Sequence, residues 1–256
     1  VQHVVDFGER IAQGKGHITL YPSGHILGSA QALLEFNGER LVYTGDFKLK
    51  SSRTAEPCEV IPCDHLIMEC TYGLPQYRFP DRAQVESDIL SYLENVLKRN
   101  KVPVIFAYVL GRSQEILKLL AENGFNVALE NRVFDMCRIY EELGVTFGEY
   151  ERFDPDDHGD RILIFPPHLW KSPVVTRIRN RETVAVTGWA VDGRQQNWYS
   201  SDVAFPISDH ADFDDLKHYI EQAGPSKVSL IHGFEEFAKH LEHMGLEVQV
   251  IDGIAH

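Results

Sequence analysis

The stretch YPSGHILGSAQ, Tyr21 to Gln31, sets a histidine between two glycines directly after the apolar alternating run HITLYP. Gly24 and Gly28 allow a sharp bend and a close backbone approach. The next two runs, QALLEF and ERLVYTGDF, read as strands joined by an NGE hairpin turn at Asn37 to Glu39. The second strand stops at Gly-Asp and so delivers the Asp46 carboxylate to a sheet edge, where His25 from the neighbouring strand end can meet it. Histidine and carboxylate at adjacent strand ends are material for a metal site. Each also has a plainer reading: His25 can bond a backbone carbonyl, and Asp46 can cap a turn amide.

Outward from this stretch, DHLIMECT is a further short strand carrying Glu69 near its end. From about Asp81 the period turns helical, with Val85, Ile89, Tyr92, Leu93 and Val96 on one side. VPVIFAYVLGRSQEILKLLAENG then reads as a buried strand, a turn at Gly111 and a helix ended by Gly124. NVALE, RILIFPP and TVAVTGW continue the short apolar strands, so roughly 80–205 is a small α/β region of parallel-sheet character. After VAFPISDHADF come a helix (FDDLKHYIEQAG), a strand (KVSLIHG), a helix (FEEFAKHLEHMG) and a strand (EVQVID). His232 ends its strand as Asp46 does. Ser208, Asp209 or Asp212 can cap the helix that follows.

A chain of 256 residues can bury a large core or form two domains. No apolar run approaches the roughly 20 residues needed to cross a bilayer, and no signal-peptide pattern is present. Cys58, Cys63, Cys70 and Cys137 form no CxxC pair, which points to a reducing cytoplasm. A formal net charge of -13 argues against broad nucleic-acid affinity, because phosphate binding draws on positive surface; a local basic groove stays compatible with it. The first residue is Val1, and the chain enters directly into VQHVVDFGERI, as a fragment or processed piece would.

SGHILGSA, YTGDF, MECTYG, SDHADF and LIHG occur in this order along the chain. In order and approximate spacing they resemble the late motifs of the β-CASP nucleases of the metallo-β-lactamase fold, the group that contains RNase J, Artemis and the endonuclease subunit of the polyadenylation machinery. The resemblance covers essentially the whole chain. CTYGLPQYRFP, AYVLGRSQ and TGWAVDGRQQ look most like ligase-associated DNA exonucleases and RNA 3′-end-processing exonucleases. The fold this implies is α/β, an N-terminally incomplete αββα sandwich with an inserted β-CASP domain. Residues 1–80 and 206–256 would form the sandwich core and 81–205 the insertion.

Carried over residue by residue, the resemblance makes His25 a ligand of one metal in a two-zinc site, Asp46 the bridge and His232 a ligand of the second. The donor atoms of these three are expected within about 5 Å of one another. Glu69 and His210 would be the catalytic pair near the scissile phosphate, with His210 protonated to assist the leaving oxygen. Asp209 would support a histidine from behind. Lys48 and Lys50 would line a phosphate track or sit in a solvated loop. Arg112 and Ser113 lie at a strand-to-helix turn that favours an anion, and Arg194 would extend that surface. The expected partners are single-stranded DNA or RNA ends, with no membrane.

One departure stands against these matches. The family's first metal motif, His-x-His-x-Asp-His, is absent from the sequence, so either an N-terminal segment or companion chain supplies those ligands, or the chain is a non-catalytic nucleic-acid-binding or scaffold relative. Two zinc ions are then expected in the complete protein and weak or partial occupancy in this chain alone.

Overall fold

Four strands, β1 (Arg10–Gln13), β2 (Gly16–Pro22), β3 (Ala30–Phe36) and β4 (Glu39–Tyr43), run as an antiparallel meander. Its last hairpin turns on Asn37 (φ 53°) and Gly38 (φ 87°), the two left-handed positions that match the twist of paired strands. β5 (His65–Cys70) then pairs parallel to β4. This computed structural model describes residues 4–157, 159–192 and 198–251. The chain divides into two compact units, 1–78 with 209–256, and 79–208.

The second unit opens with α1 (Arg82–Lys98), capped by the Asp81 carboxylate on the Gln84 amide. It continues through β6 (Val102–Phe106), α2 (Arg112–Glu122), β7 (Val127–Leu129), α3 (Asn131–Glu142), β8 (Glu151–Arg152) and β9 (Ile162–Phe165). The short α4 (Pro173–Thr176), β10 (Arg181–Val186) and β11 (Val203–Phe205) complete it. The six strands pair in the order β11-β10-β6-β9-β7-β8, every pair parallel. Near-continuous apolar runs such as Ile162–Phe165, buried throughout, are what a parallel sheet covered on both faces requires.

The chain then returns to the first unit with α5 (Phe213–Ala223), β12 (Lys227–Gly233), α6 (Glu236–Glu242) and β13 (Glu247–Val250). β12 and β13 extend the first sheet to the order β1-β2-β3-β4-β5-β12-β13. α5 starts where Asp212 accepts the amides of Asp214 and Asp215, and stops at left-handed Gly224. Alternate strand residues Leu33, Val42, Leu66, Met68, Val228 and Leu230 form one core with Phe213, Leu216 and Tyr219 of α5 and Phe237 and Leu241 of α6. Each such side chain contributes about 1.5–3 kcal/mol on burial. The pleat turns Leu34, Phe36 and Tyr43 to the other face, where Phe36 is 52% and Tyr43 41% exposed. The described residues of this unit thus build one sheet and one helical layer, half of an αββα sandwich, with an inserted α/β unit. Among them, no helix is long and apolar enough to cross a membrane.

Candidate metal centre

β4, β5 and β12 are neighbours and mutually parallel, so Asp46, Glu69 and His232 all leave the sheet at its carboxyl edge, the side where open sheets receive ligands. His25 enters from the β2–β3 connection and His210 from the turn before α5. One donor atom each from His25, Asp46 and His210 lies within 4.8 Å of the other two. The two imidazoles meet edge to face, with ring centroids 4.6 Å apart, and His25 Nε2 is 3.9 Å from Asp46 Oδ2.

Each side chain is held from behind. His25 Nδ1 lies 2.9 Å from the Asp209 carbonyl oxygen. A carbonyl only accepts, so Nδ1 carries the proton and Nε2 turns its lone pair to the site, the tautomer a metal ligand needs. Buried Ser23 ties the two ligand loops together: its Oγ is 2.9 Å from the Asp46 carbonyl and 2.9 Å from Ser29 Oγ, and its carbonyl accepts the Lys48 amide at 3.0 Å. Gly24 has φ 74°, and a Cβ there would lie 2.3 Å from the Lys48 carbonyl oxygen. The loops approach so closely that only glycine fits between them.

Glu69 is fully buried, yet its carboxylate is satisfied. Oε1 accepts the Phe47 amide at 3.0 Å and His210 Nδ1 at 2.9 Å, and Oε2 accepts the Thr71 amide at 3.3 Å. Burial alone would raise the Glu69 pKa, but the His210 charge, with the hydrogen bonds from His210, Thr71 and Phe47, holds it below the usual carboxylate range. Burial likewise disfavours a charged His210, and the Glu69 carboxylate, helped by Asp46 and Asp209, outweighs it and raises the pKa. Both shifts favour an imidazolium on a carboxylate, and a ring nitrogen of His210 lies within 4.8 Å of donor atoms of His25 and Asp46. Next along the strand, burial pushes the Cys70 thiol up to about 12, which makes it a neutral core residue and not a thiolate ligand.

The structure corrects several expectations. His232 lies outside the group of three, whose third member is His210. β12 slips register against β5 between Ile231 and Gly233, and His232 sits in that irregularity at φ 47°, exposed, so its side chain does not follow the strand alternation. Asp209 supports His25 through its main-chain carbonyl and not its carboxylate. Lys50 is exposed, bound to the helix-capping Asp212 at 2.5 Å and 3.8 Å from Asp215, whereas Lys48 is buried. Ser113 is buried and donates to the carbonyls of Tyr108 and Ala107. The amides of Arg112 and Ser113 bond the carbonyls of Leu110 and Tyr108, which closes the expected anion site at the start of α2. Arg112 itself is buried against Tyr108. Arg194 lies outside the described residues. Ser23 went unnoticed in the sequence; its one signal is a small polar residue just before the Gly-His of a strand end.

Comparison with known proteins follows the same lines. A family model described as "Zn-dependent metallo-hydrolase RNA specificity domain" matches residues 203–251. A probable DNA ligase of Opitutus terrae is 43% identical over 256 residues, covering 98% of this chain and 25% of that protein. Cleavage and polyadenylation specificity factor subunit 3 of Dictyostelium discoideum is 23% identical over 90% of this chain and 36% of its own length. Transcription termination factor FttA of a Lokiarchaeum is 42% identical over 41% of this chain and 17% of its own length. The chain spans no more than about a third of the length of these relatives.

Proposed function

Because the chain belongs to the β-CASP group of the metallo-β-lactamase fold, we propose that it is the late part of a zinc-dependent phosphodiesterase that trims single-stranded DNA or RNA ends. The observation that carries this reading is the Glu69–His210 pair, charged, buried at its carboxylate and set beside His25 and Asp46. A ligand-tautomer histidine, a carboxylate and a protonated imidazole within a few ångströms are what hydrolysis of a phosphodiester needs: places for a metal, and a proton for the leaving oxygen.

His25 Nε2 and the Asp46 carboxylate suit zinc in donor type and in exposure. Bound there, zinc supplies Lewis-acid polarisation of a phosphoryl oxygen and acidifies water. His210, although within reach as a third donor, acts as the proton donor: Glu69 fixes its Nδ1–H and favours the charged ring, whose Nε2–H can be given up but cannot coordinate. Glu69 thus orients the acid and keeps it charged. Further metal ligands come from outside these residues. The apolar face carrying Leu34, Phe36 and Tyr43 is where the segment bearing those ligands packs.

A scaffold role is the second reading, favoured by the three-member donor set and the absent His-x-His-x-Asp-His motif. Cleavage separates them. The chain completed by its upstream segment and loaded with zinc should shorten end-labelled single strands, and a chelator should abolish this. Zinc-loaded protein that binds strands and leaves them intact overturns the enzyme reading.

A further inference from the structure

The GRSQ residues at the start of α2 are spent on one loop, 107–111. Ser113 donates from its amide at 3.1 Å and from Oγ at 2.6 Å to the carbonyl of Tyr108. Gln114 Nε2 donates to the carbonyl of Val109 at 3.0 Å. Gly111, at φ 82°, makes the turn into the helix possible. Arg112 is 3% exposed, lies with Cζ 5.0 Å from the Tyr108 ring centroid and reaches the Val186 carbonyl with Nη1 at 3.4 Å. Tyr108 is therefore fixed at its backbone and on one ring face, and is still 50% exposed.

Scattered exposed aromatics are ordinary; one held at its backbone and on one ring face with half its surface open is a preformed contact. It has little side-chain freedom left to lose on binding. Its place, directly after β6 at the carboxyl edge of a parallel sheet, is the ligand-receiving edge of such sheets. A flat, electron-rich ring backed by a guanidinium matches the π-face of a nucleobase, and stacking of this kind is how proteins hold single strands without reading their sequence.

We propose that Tyr108 is a stacking platform for a base of a single-stranded nucleic acid, with Arg112 as its backing. The nuclease reading above is used here only for the class of ligand. The test is metal-free binding by the 256-residue chain, in a chelator, to a short fluorescent oligothymidine and to an abasic strand of the same length. Tyr108→Ala should weaken binding of the base-carrying strand by roughly tenfold and leave the abasic strand unchanged. Tyr108→Phe should stay within about twofold of the parent, since the ring and not the hydroxyl stacks. In Tyr108→Trp the indole emission should be quenched as strand is added. Unchanged affinity in Tyr108→Ala, an equal loss on both strands, or no preference of the parent for bases over abasic sites overturns the proposal. Cleavage plays no part in these readouts: a cutting enzyme indifferent to Tyr108→Ala sinks the platform and spares the nuclease, and a stacking protein that never cuts does the reverse.

Discussion

The two units treat their chemically suggestive residues in opposite ways. In the first, Ser23, Thr71 and the carbonyl of Asp209 stay behind the scenes so that His25, Asp46 and His210 face a common space. In the second, Arg112, Ser113 and Gln114 turn inward and hold a loop whose exposed members are Tyr108 and Leu110. A polar motif at a strand end is thus either the chemistry or the frame for it. Which one depends on where its hydrogen bonds go.

The sharpest break of the first unit is Glu69→Ala. It strips His210 of the carboxylate that holds its proton and vacates a desolvated position, and removing one partner of a buried pair costs about 3–5 kcal/mol; the shift in denaturant midpoint of the first unit measures it. Next is a glycine contrast within one loop. Gly24→Ala forces a Cβ to 2.3 Å from the Lys48 carbonyl, whereas at Gly28, φ 73°, nothing lies within 4 Å. Gly24→Ala should cost roughly 3 kcal/mol or more, with loss of metal affinity, and Gly28→Ala only the left-handed strain of about 1–2 kcal/mol. Equal costs would show that the two ligand loops are not locked together.

A smaller effect belongs to the second unit and is read against pH. Glu182 accepts Arg99 at 2.7 Å, Lys101 at 2.7 Å and the Tyr92 hydroxyl at 2.5 Å. Burial would raise its pKa, but these partners outweigh it and bring it down to about 2. A depressed carboxylate pKa stabilises the fold above its ordinary value near 4.5 and loses that contribution as pH falls through about 2. Discounted for the half-exposed Arg99 and Lys101, the contribution is about 1–2 kcal/mol. Glu182→Gln should destabilise at neutral pH by that amount and flatten the acid limb of the stability curve over this window. A limb of unchanged slope would assign the acid sensitivity elsewhere.

Much of the fold was legible because it is written locally. Period-two runs mark β2 to β5, helical spacing and the Asp81 and Asp212 caps mark α1 and α5, and Asn37-Gly38 marks the hairpin. The approach of His25 to Asp46 was legible from their places at neighbouring strand ends, and the Glu69–His210 pair from the family resemblance, whereas the third member of the group is His210 and not the expected His232. What escaped notice is nonlocal or lacks a side-chain signature. The partner of Arg112 is a carbonyl at Val186, the support of His25 is the carbonyl of Asp209, and no residue type announces either. The register slip at His232 leaves no trace in KVSLIHG, and nothing in Gly-Arg-Ser-Gln announces that the amides of Arg112 and Ser113 are bonded within the loop.

The central claim is a division of labour among three donors that lie within 4.8 Å of one another: Asp46 holds metal and His210 carries a proton. Zinc content by elemental analysis, taken beside single-turnover cleavage in the protein completed by its upstream segment, tests it directly. Asp46→Ala should lose metal and cleavage together, with zinc affinity down by more than about a hundredfold. His210→Ala should keep nearly all its zinc and lose turnover by about 10²–10⁴-fold, the usual worth of a general acid. If His210→Ala loses zinc as Asp46→Ala does, His210 is a ligand and the assignment of the proton to it is wrong.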